Sequence, residues 1–432
     1  MSISSSMNAG VAGLSANANK LATISDNIAN SSTNGYKRAQ TEFYAMVIGT
    51  SSSKYTAGGV RTSATRVIDE RGPLASTTNA TDLAISGRGF LPITTLSAVE
   101  AGGALPFQMT TTGSFTTNSD GYLTTSSGYA LLGWPADSTG SIGTQSRDTT
   151  SGLQPVRVLT NQVVGSPTTA LTLAANLPAT STEAGATGDV ETQVIEYYDN
   201  LGKTKTLTVN YVPTVPAAGE SNTWTVEIYD DAQGGALVGT YELEFDDSRT
   251  GGGRLLSVTT GAGDPYDPAT GLLSVDVASG PLSINIGKPG QPDGMTQLSD
   301  GFAPVAVTRD GAPSGTLTGV EVDAGGNLYG TYSNGLTRLL YQIPVVDVPN
   351  VNGLQSLGSQ AYAVSQDSGA FFLWDAGTGP TGEMLGYTSE GSAVDVATEL
   401  TQMIQTQRAY SSNAKVIQTV DEMLQETTNL KR

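Results

Sequence analysis

The sequence predicts a mainly β protein with α-helical termini: two nested β-sandwich or barrel-like domains, plus a coiled-coil-like pair formed by the N- and C-terminal helices. Three observations carry this expectation. Sustained heptad spacing of apolar residues occurs only in the first and last segments of the 432-residue chain. The stretch between them reads as short strands broken by Gly, Asp and Pro turns, in a chain with 52 Gly and 19 Pro. Charge divides along the same lines. The formal net charge is −19, yet residues 1–70 hold six bases against four acids and residues 395–432 hold four against five. The acidity therefore belongs to the middle, and two nearly neutral ends flank a strongly acidic body. An acidic body is a solvated one.

At the N-terminus the apolar stripe runs Met7, Val11, Leu14, Ala18, Leu21, Ser25, Ile28, with Ser25 as its one polar break. Ala, Ser, Asn and Thr surround it and allow neighbours to approach closely. Asn30-Ser-Ser-Thr-Asn34-Gly35 stops the helix, because Asn-Gly favours turn geometry. At the C-terminus Val396, Leu400, Met403, Gln407, Tyr410, Ala414, Ile417 and Leu424 follow the same spacing, with Ile404 and Val420 widening the stripe. Asp395 and Glu399 at its start and Lys431-Arg432 at its end suit the helix dipole. Neither helix has a helical neighbour in sequence. They pair with each other, with other copies of the chain, or with both.

Between the helices, Thr116–Leu123 carries a hairpin signal with Asp120-Gly121 at its turn. Thr192–Tyr198, the turn Asp199-Asn-Leu-Gly202 and Lys203–Tyr211 form a second hairpin pattern. Alternation places Trp224, Val226 and Ile228 on one face of a strand, and does the same for Tyr241, Leu243 and Phe245. Linker-like stretches are Ser51–Gly59, Pro135–Gln154, Pro213–Asn222, Gly261–Gly271 and Gly287–Gly301. Asp120–Leu132 and Gly325–Leu340 share a turn-strand-turn-strand pattern that suggests one domain split in two. The expected organisation is terminal helices at 1–30 and 395–432, an extended connector over 31–71, a first β-domain from 72–149 and 291–394, and an inserted outer β-domain at 150–290.

Composition excludes much chemistry. With no His and no Cys the chain lacks the commonest general base, the commonest transition-metal ligand and any thiolate. The acid excess argues against nucleic-acid binding. No apolar run reaches the about 18–20 residues of a membrane span, and no basic n-region opens a cleavable signal. If the chain is exported, a route that leaves the N-terminus uncut is needed. Gly202-Lys203-Thr204 imitates the tail of a phosphate loop but sits in a hairpin pattern with Tyr197 where the leading Gly belongs. Asp230-Asp231 and Asp246-Asp247 read as solvated turn acids at strand ends rather than a glycosidase pair. Asp264-Pro-Tyr-Asp267 lacks the spacing of an EF-hand. No catalytic residue, cofactor or metal is expected.

The ends are more specific than heptads alone. Gly13-Leu14-Ser-Ala16, Leu21 and Asn27-Ile-Ala-Asn30-Ser-Ser-Thr33-Asn-Gly35-Tyr36-Lys37 closely resemble the N-terminal signature of the bacterial flagellar rod and hook proteins. Leu400–Ile404, Gln407-Arg408-Ala-Tyr410, Asn413, Lys415–Ile417 and Asp421–Leu424 are similar to that family's C-terminal signature. Thr81–Ile85, Gly87–Phe90, Gly113–Phe115 and Asp120–Leu123 resemble its shared β-domain motifs. Within the family, Tyr198–Gly202, Asn222–Val226, Gly330–Gly335 and Gln342-Ile343 look like hook members, in a somewhat enlarged outer domain.

The resemblance implies a self-assembling helical homopolymer, a curved tube that acts as a universal joint between motor rod and filament. It implies partners at the rod and the hook–filament junction, a hook cap and the flagellar export apparatus during assembly, and an extracellular place on the flagellum reached through type III export without a cleaved signal. No nucleic acid and no membrane insertion are expected. The assembly residues would be the two apolar stripes, with Asn27, Asn30, Thr33, Gly35, Tyr36, Gln407, Arg408, Asn413 and Asp421 as family signature. Alternatives are a distal rod or other axial protein of the family, and, in other classes, a secreted β-sandwich adhesin or surface-layer module, or a carbohydrate-active enzyme.

Overall fold

A computed structural model describes residues 3–46, 57–137, 140–159, 162–299 and 301–429. Its long helices are α1 (Ile3–Ala29) and α3 (Val396–Asn429), with one turn-and-a-half of helix between them, α2 (Leu96–Ala101). α1 ends where expected. Asn30 closes the last helical bond, onto the Asp26 carbonyl, and after a few tighter turns Gly35 takes φ 71°, a conformation a side chain would strain. α3 begins on Asp395, whose carboxylate accepts from the Ala397 N–H at 2.9 Å and from the Thr398 hydroxyl at 3.0 Å. Lys431 and Arg432, expected at its end, lie outside the described residues.

The segment expected to be a plain connector contains a hairpin. β1 (Ala39–Ala45) pairs antiparallel with β2 (Val60–Arg66), in register from Ala39↔Arg66 to Ala45↔Val60. It lies on α1, where Asn19 Nδ2 donates to Thr62 Oγ1 at 3.0 Å and the Thr23 and Thr41 hydroxyls meet at 2.8 Å. Its short polar strands alternate too weakly to stand out in sequence. The start of the linker-like Ser51–Gly59, up to residue 56, lies outside the described residues.

The chain divides into two compact units. One comprises 1–159, 319–330 and 337–432; the other comprises 160–318 and 331–336. In the first unit β3 (Leu74–Ser76) pairs with Thr388–Glu390, and Asp82–Ser86 lies between Thr112–Ser114 and Glu383–Leu385. A further ladder runs from Tyr129–Pro135 through Leu91–Thr95 and Gln108–Thr110 to Ala361–Ala363. Its core gathers Ile68, Phe90, Met109, Leu132, Trp134, Tyr362 and Leu373.

The second unit is a β-sandwich. One sheet is an antiparallel meander of Glu191–Tyr198, Thr204–Pro213, Thr223–Asp230, Ala236–Phe245 and Leu255–Ala262. Trp224, Val226, Ile228, Tyr241, Leu243 and Phe245 all point into its core, as alternation requires. The facing sheet centres on Ala170–Leu177, which pairs parallel with Gly280–Asn285 and Thr296–Gln297 and antiparallel with Ala303–Arg309. These last two strands place 291–318 in the second unit, so the return from the inserted region lies later than the expected 290/291 boundary. The parallel pairing of Thr296–Gln297 with Ala170–Leu177 leaves no local turn signal in the sequence.

Candidate self-assembly site

α1 and α3 pack side by side within one chain, through only part of their apolar stripes. The buried face of α1 is Ser5, Gly10, Ala16, Asn17, Ile24 and Asn27; that of α3 is Glu399, Thr406 and Val420. Two glycines set the approach. A Cβ at Gly10 would stand 3.1 Å from Ile417 Cγ1, and one at Gly13 would stand 2.7 Å from Asn413 Nδ2. The seam is thus narrow, small and partly polar.

Most of each stripe points elsewhere. On α1, Met7, Val11 and Ala18 are exposed, with Leu14, Leu21 and Ile28 partly covered. On α3, Val396, Leu400, Ile404, Tyr410 and Leu424 are exposed, with Met403, Ala414 and Ile417 partly covered. Of the stripe residues, Ile417 is brought against α1 at Gly10, and Val420, which widens the stripe, is buried. Exposed apolar rows on two adjacent helices form an unsatisfied surface.

The signature residues have mixed placements. Asn27 is buried and reads Ala39 from both sides, accepting its N–H at 2.9 Å and donating to its carbonyl at 2.8 Å. The Tyr36 hydroxyl donates to Asp26 at 2.9 Å, while Asn30 Nδ2 donates to the Asp26 carbonyl and Thr33 leans on Asn30. Burial is the main reason the Tyr36 phenol is held above its ordinary pKa, with the Asp26 bond adding to it. These residues fix the turn after α1. Gln407 and Arg408 are exposed, Asn413 is half-buried against Gly13, and Asp421 accepts from Gln425 within α3.

Below that turn lies a cluster that the sequence does not announce. Lys37 Nζ donates to Glu390 Oε1 at 2.8 Å and to the Glu70 carbonyl at 2.6 Å, with both side chains of the ion pair almost fully buried. Burial pulls Lys37 below the ordinary lysine pKa, and Glu390 restores part of the loss. Glu399 stands in the first turn of α3, where the helix dipole favours an acid, and is buried 3.6 Å from the Arg38 guanidinium. Gly10-Val-Ala-Gly13, two glycines inside a helical pattern, is the one sequence signal that could have revealed the close seam.

Residues weighed for catalysis have structural employment. Asp230 is a correction: it is not a solvated turn acid but fully buried, accepting from the Tyr197 hydroxyl at 2.9 Å and from the N–H groups of Ala232 and Ala278. Burial and the Asp230 bond hold the Tyr197 phenol well above its ordinary pKa. Asp246 folds its own loop through Ser248, and Asp267 accepts from Ala269 and Thr270. Gly202-Lys203-Thr204 lies at a hairpin turn, with Gly202 at φ 71°. Among the described residues, no group of three His, Cys, Asp or Glu is placed to hold a metal ion, and no helix is long and apolar enough to cross a membrane.

Comparison with known proteins supplies what the geometry alone does not. Residues 7–37 match the family described as Flagella basal body rod protein, 169–312 the Flagellar basal body protein FlaE D2 domain, and 385–430 the Flagellar basal body rod FlgEFG protein C-terminal family. The flagellar hook protein FlgE of Rhizobium meliloti is 34% identical, with all of both chains covered. The chain belongs to the flagellar hook protein family. Other hook proteins are similar over nearly their full length: that of Brucella suis at 32% identity, covering 100% of both chains, and that of Escherichia coli at 29%, covering 98% of both. A crystal structure of the Helicobacter pylori hook protein FlgE2 aligns with TM-score 0.46 and 13% identity over 72% of this chain and 98% of that one. In this hook-family chain the two matched terminal families coincide with α1 and its turn and with α3, and the matched D2 domain lies inside the sandwich unit.

Proposed function

We propose that copies of this chain polymerise into the flagellar hook through the outward apolar stripes of α1 and α3. The observation that supports this is the unequal burial on each helix: the buried residues are mostly small or polar, while Met7, Val11, Val396, Leu400, Ile404 and Tyr410 face out. A surface of that kind is costly in water and is relieved when a second copy covers it. Helices packed on helices give the tube axial continuity, and the acidic β-units outside it slide past one another as it bends. The product is a curved coupling that transmits torque between rod and filament.

The same reading places the chain outside the cell, exported without a cleaved signal, with rod and junction proteins at the tube's ends and a cap and export apparatus attending its growth. It asks for no turnover and no cofactor. Electron microscopy of the concentrated purified protein tests it. Hollow tubes are expected, and particles that never elongate under any salt or concentration would count against it.

A further inference from the structure

We infer that the buried Lys37–Glu390 pair is a positioning device that sets the roots of α1 and α3 on the β-structure of the first unit. The two residues are 353 positions apart, and their side chains are 0% and 1% exposed. Lys37 follows the turn after α1; Glu390 ends the strand that leads into α3. Glu390 is where four separate parts of the chain meet. Its Oε1 accepts from Lys37 and, at 2.8 Å, from the Gly72 N–H beyond β2. Its Oε2 lies 3.5 Å from Arg71 Nη1. Its carbonyl accepts from the Gly35 N–H at 2.8 Å, and its own N–H donates to Thr112 Oγ1 at 3.1 Å. The Ala393 N–H then donates to the Tyr36 carbonyl at 3.0 Å, closing the two roots on each other.

A buried ion pair seldom adds net stability over an apolar replacement, because desolvation offsets the Coulomb gain. What it adds is direction. Apolar contact tolerates sliding, whereas these bonds hold in one arrangement only, and the narrow α1–α3 seam above supplies little of its own to fix the angle. Arg38–Glu399 continues the same tie into the first turn of α3.

The test compares Lys37→Met, Glu390→Gln and the double variant in the full, unassembled chain. It therefore stands or falls independently of whether the helices polymerise. The readouts are the melting temperature and amide exchange at Gly35, Gly72 and Ala393, with Tyr211 and Val226 of the sandwich unit as reference. Each single variant strands a buried charge or loosens its partner, so melting should fall and exchange at the three root amides should rise about a hundredfold for Lys37→Met. In the double variant no unpaired lysine or glutamate charge remains, and the side-chain amide introduced by Glu390→Gln keeps an oxygen for the Gly72 N–H. Its melting temperature should return towards the parent while the root amides stay fast. Root protection that returns together with the melting temperature would overturn the proposal, making the pair merely structural. So would Lys37→Met leaving root exchange unchanged.

Discussion

Val11→Asp and Ile404→Asp separate assembly from folding more cleanly than any other change in the chain. Both residues lie on the outward stripes, and each is 52% exposed in the single chain. Full burial of such a side chain contributes roughly 1.5–3 kcal/mol, so about 1 kcal/mol per residue remains to be gained when a second copy covers it. Aspartate forfeits that gain and brings an unpaired carboxylate into a desolvated contact, at a further cost of several kcal/mol. A total of at least about 3 kcal/mol corresponds to a rise of about a hundredfold or more in the critical concentration for tube growth. In the single chain the same change is a surface substitution, worth within about 0.5 kcal/mol. The assay pairs sedimentation of tubes across a concentration series with circular-dichroism melting. Ser412→Asp serves as the control, since Ser412 is exposed on the side of α3 away from the stripe. An unchanged critical concentration for both stripe variants would refute the assignment of these faces to assembly.

Amide exchange over residues 3–24 and 400–429 should be fast in the unassembled chain and slow in tubes, because the α1–α3 seam buries few large apolar groups against an ordering cost of about 1–2 kcal/mol per residue; strong protection before assembly would contradict this. Asp395 should make the start of α3 acid-labile. Its carboxyl is held below the usual range, chiefly by the Thr398 N–H, so its contribution is present above the unfolded pKa and is lost as pH falls through the folded one. Protection at Ala397 and Thr398, taken relative to the intrinsic exchange rate at each pH, should therefore fall with acid in the parent and lose that dependence in Asp395→Asn. Trp224→Ala removes a fully buried ring from the sandwich core and should cost about 3–5 kcal/mol there, seen as a lowered melting transition of the second unit. A chain with 160–318 replaced by a short Gly/Ser linker should retain a cooperative transition from the first unit, and a broad non-cooperative melt would deny that unit its own core.

What the sequence conveyed was whatever is local. Period-two alternation at Trp224–Ile228 and Tyr241–Phe245 identified core faces, Asn-Gly at 34–35 stopped α1, and heptad spacing located both terminal helices. What it concealed was long-range. The parallel strands beside Ala170–Leu177 are joined by no tight turn, so nothing nearby betrays them. The helix seam was concealed for another reason: an apolar stripe says that a face will be covered, not by which neighbour. Here Gly10 and Gly13 face the partner helix, and most of the hydrophobic signal belongs to a different face. Lys37 showed only as the end of the N-terminal signature and Glu390 not at all, and their pairing was hidden because charged residues are assigned to the surface unless a partner is known.

The bond between Lys37 and Glu390 also sets a clock. The residues it joins are 353 positions apart. At a synthesis rate of about 5–20 residues per second, the lysine waits roughly 20–70 s for its carboxylate. Over that interval α1 has no α3, β3 has no strand to pair with, and the turn after α1 has no Gly35 acceptor. The sandwich strands from Ala170 to Arg309 are by contrast complete within their own stretch of chain. The order of maturation is therefore written into the topology: the inserted unit matures first, and the ends remain open until the last tenth of the polypeptide arrives. A chain cut short before Glu390 would carry a finished sandwich and no root for its helices.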